Sequence, residues 1–232
     1  MKSRDFVRFV CISDTHSQLQ NILDKIPSGD VLLHAGDFTD KGKPREVAAF
    51  NEAIGKLPHK HKIVIAGNHD LCLDPSDPSF LSTFRGALRS LDLWRQGASD
   101  PRELLFNCTY IEDEVIEVEN YKIYGFPWLH KRFYNWLGGM NLSFHLEPKD
   151  LDQKFKGISD NFDIFLTHAP PPARFKKILS EKGVTYSVNG HFHSSHGQWL
   201  CPDSNIHFIN ASICDRFKSP SQDAIVFDLP KK

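Results

Sequence analysis

The stretch Ile-Val-Ile-Ala-Gly-Asn-His-Asp, residues 63–70, decides the fold class of this chain. Its first four residues form a short apolar run rich in β-branched side chains, which is typical of a strand buried on both faces of a sheet. Gly67 then permits a tight turn, and Asn68, His69 and Asp70 follow at the carboxyl end of the strand, where open α/β sheets carry their sites. At average residue usage, Gly-Asn-His-Asp arises by chance in about one chain in a thousand of this length. The stretch therefore predicts a strand that ends in a functional site.

The same arrangement, an apolar run followed by polar residues, recurs four more times along the chain. The further runs are residues 7–13, 31–35, 164–167 and 184–188. They are followed by Asp14-Thr15-His16, Gly36-Asp37-Phe38-Thr39-Asp40, His168, and Gly190-His191-Phe192-His193. Chance predicts Gly-Asp-x-x-Asp in roughly one chain in twenty and Gly-His-x-His in about one in a hundred. The five motifs together, each after a strand-like run, are therefore not a coincidence.

Helical and hairpin patterns fill the segments between and after these runs. Apolar residues recur at helical spacing after Pro44 and again after Pro78. Alternation with period two and further apolar runs predict an antiparallel hairpin and two more strands within residues 114–124, 206–209 and 224–227. These patterns predict an α/β sandwich with one mixed sheet or two. Without an internal repeat or a linker, residues 1–232 are expected to form a single domain.

The composition indicates an ordinary soluble protein and excludes several classes. The 28 Lys and Arg residues nearly balance the 29 Asp and Glu residues, and the formal charge of −1 argues against a large nucleic-acid-binding surface. No apolar stretch approaches the roughly 20 residues of a membrane span, and the charged start is not followed by the apolar segment of a secretory signal. The five cysteines are scattered and never spaced Cys-x-x-Cys, which favours reduced thiols in a cytoplasmic protein.

The polar side chains that follow the five runs suit a metal centre. Seven of them are candidate metal ligands: Asp14, His16, Asp37, Asn68, His168, His191 and His193. Nitrogen and carboxylate oxygen without thiolate favour borderline ions such as Mn²⁺, Fe or Zn²⁺. Seven ligands are too many for one ion, so they predict two neighbouring ions that share a bridging carboxylate. Such a pair of ions suits in-line displacement at a phosphoester.

The order of the motifs resembles that of a known family. The series D-x-H, G-D-x-x-D, G-N-H-[DE], T-H and G-H-x-H, from Asp14 to His193, is similar to the calcineurin-like metallophosphoesterase superfamily. Within it, nearly the whole chain resembles the metallophosphoesterase-domain-containing (MPPED) group. This similarity rests on Asn107-Cys108-Thr109-Tyr110, Ile123-Tyr124-Gly125 with Pro127-Trp128, Thr167-His168 with Pro170-Pro171, Ile209-Asn210-Ala211-Ser212 and the closing Val226-Phe227-Asp228-Leu229-Pro230. The resemblance implies an αββα sandwich of two mixed β-sheets flanked by helices.

The resemblance also distributes the seven ligands between two divalent transition metal ions. One ion would be held by Asp14, His16, Asp37 and His193, and a second, sharing Asp37, by Asn68, His168 and His191. A hydroxide bridging the two ions would attack phosphorus. Mn²⁺ is the first expectation for the metal, with Fe, Zn²⁺, Ni²⁺ or Mg²⁺ as alternatives.

By the same resemblance, His69 and Asp70 are the catalytic residues. His69 would stand beside the leaving oxygen as general acid or charge stabiliser, and Asp70 would fix its tautomer and orientation. Asp40, the last residue of the second motif, is expected to orient a histidine rather than to bind metal.

Departures from other branches of the superfamily narrow the substrate. Ser/Thr protein phosphatases have Arg before G-N-H-E, where this chain has Ala66, and purple acid phosphatases have a Tyr ligand where this chain has Asp40. The expected activity is hydrolysis of a small phosphodiester, with cyclic nucleotides as candidates and neither nucleic acid nor membrane as a partner. The alternatives are a phosphomonoesterase or nuclease of the same superfamily, and a catalytically weak metal-binding interaction module.

A dense aromatic segment, residues 121–136, allows two interpretations. The first is core packing with a covering loop. The second is an aromatic wall against which a nucleobase stacks, with Lys131 and Arg132 steering a phosphate.

Overall fold

The computed structural model describes residues 5–74, 84–130 and 143–232. The strands in these ranges are β1 (Phe6–Ile12), β2 (Val31–His34), β3 (His61–Val64), β4 (Thr109–Tyr110), β5 (Val115–Val118), β6 (Tyr121–Phe126), β7 (Leu129–His130), β8 (His145–Leu146), β9 (Ile164–Thr167), β10 (Tyr186–Asn189), β11 (Gly197–Cys201), β12 (Ile206–Asn210) and β13 (Ile225–Pro230). The helices there are α1 (Pro44–Gly55), α2 (Phe84–Arg95), α3 (Pro148–Gly157) and α4 (Lys176–Glu181).

Two large mixed sheets form the frame of the molecule. The first has the strand order β13-β1-β2-β3-β4, in which β13 is antiparallel to β1 and the other neighbours are parallel. The second has the order β11-β12-β10-β9-β6-β5, in which the edge strands β11 and β5 are antiparallel to their neighbours and the central four strands are parallel. Strands β7 and β8 make a separate parallel pair. The two mixed sheets confirm the predicted fold class.

The strands form where the sequence patterns predict them. The five apolar runs become β1, β2, β3, β9 and β10. The predicted hairpin is β5–β6, and its turn residues Glu119 and Asn120 have φ of 50° and 65°. Positive φ at both positions is what a two-residue turn needs to follow the twist of its strands.

Alternate residues of the two sheets pack against each other in the centre of the sandwich. Phe9, Leu33 and Ile63 of the first sheet form one buried cluster with Leu166 and Ile209 of the second. Because successive side chains of a strand point to opposite faces, this cluster fixes which face of each sheet is turned inward.

The outer faces of the sheets carry the helices. Leu32 and Val64 are the sequence neighbours of Leu33 and Ile63, so their side chains point to the opposite face of the sheet. There they lie in a second buried cluster with Phe50 and Ile54 of α1. Phe155 of α3 belongs to the same cluster. Burying each such side chain stabilises the fold by about 1.5–3 kcal/mol. Two packed sheets with helices outside confirm the αββα architecture.

The second predicted helix is α2, which begins at Phe84. Pro78, expected near its start, lies outside the described residues. Among the helices that the structure describes, none has both the length and the apolar composition needed to cross a membrane.

Candidate metal centre

The loops that follow the central strands of both sheets meet at one edge of the sandwich. The backbone N–H of Asp14, after β1, donates to the carbonyl of Gly36, after β2, at 2.9 Å. From the second sheet, the His191 N–H donates to Asp14 Oδ2 at 2.9 Å, and His168 Nδ1 lies 2.8 Å from the carbonyl oxygen of Ala35. Motifs that are far apart in the sequence therefore share one site.

Four of the seven candidate ligands have a left-handed backbone. The φ values are 53° at Asp14, 40° at His16, 54° at Asp37 and 66° at His191. Such a conformation costs of order 1–3 kcal/mol at a residue with a side chain, and it persists only where the surrounding structure imposes it. The turns after β1, β2 and β10 therefore hold these four ligands in conformations that the surrounding structure imposes.

Two glycines are required by close packing of the backbone against the carboxylates. A Cβ at Gly67 would overlap Asp37 Oδ1, and a Cβ at Gly190 would overlap Asp14 Oδ2 and Ser13 Oγ. Neither glycine has a positive φ. The glycine at the end of β3 therefore serves the approach of a carboxylate.

The first group of ligand atoms comes from Asp14, His16 and His193, and these atoms lie within 4.8 Å of one another. His193 Nε2 is 3.1 Å from Asp14 Oδ1 and 3.3 Å from His16 Nε2. His193 Nδ1 lies 2.8 Å from the carbonyl oxygen of Asp215. When Nδ1–H of His193 donates a hydrogen bond to that carbonyl, Nε2 carries the lone pair, which faces Asp14 and His16.

The second group comes from Asp14, Asp37 and His168, again within 4.8 Å. His168 Nε2 is 3.4 Å from Asp37 Oδ2 and 3.1 Å from Asn68 Oδ1. The His191 ring centroid is 5.1 Å from that of His168. The structure thus brings all seven predicted ligands to one edge. The carboxylate common to both groups is that of Asp14, whereas the resemblance implied that Asp37 is the shared one.

The donor set fits divalent cations of borderline softness. It consists of imidazole nitrogens, carboxylate oxygens and one amide oxygen. In the first group, His193 Nε2 lies at hydrogen-bond distance from both His16 Nε2 and Asp14 Oδ1, and a cation among the three atoms would be held by three lone pairs. His16 Nδ1 is buried and has no hydrogen-bond partner among the described residues, so one ring nitrogen of His16 is left without a protein partner there.

Burial keeps two of the histidines neutral. It lowers the pKa of His16 and the pKa of His191 to about 4 each, so both imidazoles are unprotonated at neutral pH and able to bind metal. Burial also acts to lower the pKa of His168, but the charge of Asp37 and the hydrogen bond to it outweigh burial and raise this pKa to about 9. A metal ion at this site therefore has to displace a proton from His168.

His69 borders the first group of ligands. Its ring centroid lies 4.8 Å from that of His16, and its Nδ1 lies 2.7 Å from the carbonyl oxygen of Asp40. The Asp40 carbonyl therefore fixes the orientation of His69, which leaves Nε2 as the atom available to a bound molecule. Asp40 was expected to orient a histidine. In the structure it contacts His69 through its backbone carbonyl rather than through its carboxylate.

Asp70 has a different role from the one that the resemblance implied. Its buried carboxylate accepts hydrogen bonds of 2.8–2.9 Å from the N–H groups of Asp37, Gly67 and Thr39 and from the Thr39 hydroxyl. The His69 ring is not among its partners in the described part of the chain. The expected contact with His69 is therefore corrected, since Asp70 instead joins the loop after β2 to the loop after β3.

Ser212 and Asp215, for which the sequence predicted no role, hold the ligands Asp14 and His193 in place. Ser212 Oγ donates to Asp14 Oδ2 at 2.9 Å and also lies 2.8 Å from Asn210 Oδ1. Asn210 and Ser212 belong to one of the segments that carry the MPPED similarity, and this was the available signal. The Asp215 carbonyl, which fixes His193, is a backbone group, so side-chain chemistry in the sequence gave no sign of it.

The described part of the aromatic segment is mostly packed inside the protein. The buried Tyr121 donates from its hydroxyl to the Pro230 carbonyl at 2.5 Å, and the buried Trp128 donates from Nε1 to the Asp113 carboxylate at 2.9 Å. This favours core packing for residues 121–130. Lys131, Arg132 and the aromatic residues up to 136, which the stacking hypothesis also used, lie outside the described residues.

A cavity of about 480 Å³ lies beside His191. Phe126, Trp128 and Phe192 line it together with the proline run that follows His168. Its size and mostly apolar wall suit a small organic group.

Two solved structures match most of this chain at low similarity. A predicted phosphoesterase of Streptococcus pneumoniae matches with a TM-score of 0.42 and 14% identity, over 98% of this chain and 85% of that one. A 5′-nucleotidase precursor of Thermus thermophilus matches with a TM-score of 0.46 and 13% identity, over 97% of this chain and 54% of that one.

The sequence itself matches a family model and curated relatives over most of its length. The model for calcineurin-like phosphoesterases covers residues 7–195. A UPF0046 protein of Caenorhabditis elegans is 38% identical over 97% of this chain and 81% of its own length. Human metallophosphoesterase domain-containing protein 1 is 36% identical over 99% of this chain and 73% of its own length, which confirms the MPPED similarity. The chain therefore belongs to the calcineurin-like phosphoesterase family of metal-dependent phosphoric ester hydrolases.

Proposed function

We propose that the chain is a phosphodiesterase that hydrolyses small phosphodiesters with two divalent metal ions, Mn²⁺ first among them, and that cyclic nucleotides are candidate substrates. One observation carries the proposal: two groups of ligand atoms adjoin and have the carboxylate of Asp14 in common. A pair of neighbouring ions is the arrangement that stabilises both the attacking and the leaving oxygen of a phosphoester. The apolar cavity beside His191 supports an organic group on the phosphorus.

The roles of the residues follow from their contacts. When bound, the two ions would lower the pKa of a water molecule and offset the negative charge at phosphorus. Asp14 and Asp37 would hold the ions between the two sets of histidines. His69 would give a proton from Nε2 to the leaving oxygen, because its Nδ1 is engaged by the Asp40 carbonyl.

Hydrolysis of bis(4-nitrophenyl) phosphate and of cAMP, with and without added Mn²⁺, tests the proposal. We expect turnover of both substrates that requires metal. We expect His69→Ala to lower kcat for cAMP by about 10²–10⁴-fold, because the ribose oxygen has to gain a proton as it leaves and the positioned general acid is lost. Bis(4-nitrophenyl) phosphate should be slowed less, because 4-nitrophenol is acidic enough to leave with little help from a proton. His207→Ala is the matched control, since His207 is an exposed histidine on β12 and its loss should leave the rate unchanged. Equal rates of cAMP hydrolysis for the wild type and His69→Ala would refute the proposed mechanism.

The same assays separate the alternatives. Faster hydrolysis of 4-nitrophenyl phosphate than of the diester would make the protein a phosphomonoesterase. Metal analysis of the purified protein should give about two equivalents per chain. Two equivalents without turnover of any phosphoester would favour the metal-binding interaction module and overturn the enzymatic proposal.

We also propose a cytoplasmic location, on the cysteines alone. All five are free, and four of them are buried. Free thiols persist in a reducing compartment. Recovery of the native protein in a secretory fraction after cell fractionation would contradict this proposal.

A further inference from the structure

The loop of residues 215–219 carries a lysine to the edge of the metal centre. The Lys218 N–H donates to the Asp215 carbonyl at 2.9 Å, and the Asp215 carboxylate accepts two further N–H groups of the loop. Gln18 Nε2 donates to the Lys218 carbonyl at 2.7 Å. The backbone of Lys218, with φ of 59°, is therefore fixed, whereas its side chain is 41% exposed.

The side chain of Lys218 reaches the residue that orients His69. Its Nζ lies 2.5 Å from Asp40 Oδ1. His16, Asp40 and His69 each offer an atom within 4.8 Å of the others. Lys218 thus stands next to the histidine that is proposed to protonate the leaving group.

A recess of about 460 Å³ opens beside His16 on this side of the metal centre. Its charged lining residues are Asp40, Lys41, Lys43, Glu46 and Lys218. Three lysines and two acidic residues therefore line the recess. Both carboxylates already have partners, since Asp40 is paired with Lys218 and Glu46 accepts from the N–H groups of Lys41 and Lys43. The excess of positive charge favours an anion in the recess.

The openings on the two sides of the metal centre differ in character. The cavity beside His191 has an aromatic and proline-rich wall in which Arg174 is paired with Asp152, whereas the recess beside His16 is lined by three lysines. His69 belongs to the His16 side, because its ring lies 4.8 Å from that of His16. A substrate bound across both openings would therefore have its leaving group in the charged recess and its remaining ester group in the apolar cavity.

We propose that Lys218 binds a second phosphate carried by the leaving group, so that the favoured substrates are phosphodiesters or phosphoanhydrides whose leaving group is itself anionic. The inference rests on the proposed function. Water adds its hydroxyl to phosphorus and its proton passes, through His69, to the leaving oxygen, which keeps the electron pair of the broken P–O bond. Lys218 exchanges its contact with Asp40 for one with the leaving phosphate, a charge-assisted contact of comparable strength.

Two substrates with the same adenosine 5′-phosphoryl group test this assignment. Cleavage of ATP at the α-phosphorus releases pyrophosphate, and cleavage of adenosine 5′-(4-nitrophenyl phosphate) releases 4-nitrophenol. We expect Lys218→Met to lower kcat/KM for ATP by at least about tenfold, and for the nitrophenyl ester by less than about twofold. Lys218→Arg should retain most of the activity towards ATP.

Lys60→Met is the matched control for the loss of an ion-paired lysine. Lys60 pairs with Glu119 at 2.7 Å and precedes β3, at the end of the strand opposite to the metal centre. Lys60→Met should leave kcat/KM unchanged for both ATP and the nitrophenyl ester. Equal effects of Lys218→Met on the two substrates, or no effect on ATP, would overturn the inference.

A binding measurement keeps the inference separate from the proposed function. Calorimetric titration of the Mn²⁺-loaded protein with AMP and with α,β-methylene-ADP, whose P–C–P link resists hydrolysis, needs no turnover. The wild type should bind α,β-methylene-ADP at least about tenfold more tightly than AMP, and Lys218→Met should lose most of this difference. The same affinity for the two nucleotides in the wild type, or a preference that survives in Lys218→Met, refutes the role of Lys218 even in a protein without phosphodiesterase activity.

Discussion

Ser212→Ala is the substitution that most directly tests how the metal centre is held. Ser212 and Asp14 are fully buried, and the serine hydroxyl donates to Asp14 Oδ2 at 2.9 Å. Alanine removes this donor without adding volume. Asp14 Oδ2 keeps the hydrogen bond from the His191 N–H, and Asn210 Oδ1 keeps the one from the backbone N–H of residue 212. The substitution therefore deletes one hydrogen bond to a buried carboxylate and leaves the fold otherwise paired.

The size of the effect follows from that one bond. A hydrogen bond to a charged group contributes about 1.5–3 kcal/mol, so the metal-free variant should lose stability of this order in urea unfolding. Removing a partner that orients a metal ligand costs roughly 10–100-fold in metal affinity. Competition with a fluorescent chelator measures the affinity for Mn²⁺ of the site to which Asp14 belongs.

Ser187→Ala is the control for a buried serine. Ser187 lies on β10, is also fully buried, and its Oγ has no hydrogen-bond partner among the described residues. Its replacement removes a polar group that makes no bond, so stability and metal affinity should stay the same or rise slightly. The reasoning fails if Ser212→Ala binds Mn²⁺ as tightly as the wild type, or if Ser187→Ala weakens binding as much.

Two further predictions concern the metal and the backbone that surrounds it. Because the pKa of His168 is raised to about 9 and metal binding needs the neutral ring, Mn²⁺ binding near neutral pH should release about one proton from this residue, and the affinity for Mn²⁺ should increase as pH rises towards that pKa. Titration calorimetry in buffers of different ionisation enthalpy measures the number of protons released. A heat of binding that does not depend on the buffer would contradict the prediction. Gly190→Ala should abolish tight metal binding, because its Cβ would overlap Asp14 and Ser13. Gly157→Ala is the control and should bind metal normally, because a Cβ there meets nothing within 4 Å. Normal metal content in Gly190→Ala would show that the loop after β10 is not closely packed against the loop after β1.

Much of the site could be predicted from the sequence because its motifs are local. An apolar run followed at once by Gly-Asn-His-Asp contains both the strand and the polar residues at its end. Parallel strands in one sheet place their carboxyl ends at a common edge, so the runs implied that the polar residues following strands of the same sheet, such as Asp14 and Asn68, would meet. That His168, from the second sheet, joins them was decided by the packing of the two sheets. The structure brings them together at that edge.

The partners of these residues could not be predicted in the same way. The resemblance assigned Asp70 to its neighbour His69, but the Asp70 carboxylate lies among N–H groups of the loop after β2. Similarly, the contact between Lys218 and Asp40 joins residues 178 positions apart. Such contacts depend on which loops the packing of the two sheets brings side by side.

The sequence by itself determined the strands that carry the site, the hairpin, the order of the motifs and the seven candidate ligands, because apolar periodicity and residue chemistry are properties of short segments. It did not predict the short strands β4, β7 and β8 or the edge strand β11. The tertiary structure alone decided that Ser212 donates to Asp14, that the Asp40 carbonyl orients His69, and that lysines line one opening and aromatic residues the other. The physical reason is that a hydrogen bond depends on distances and angles between groups, and for groups far apart in the chain these are fixed only when the two sheets pack.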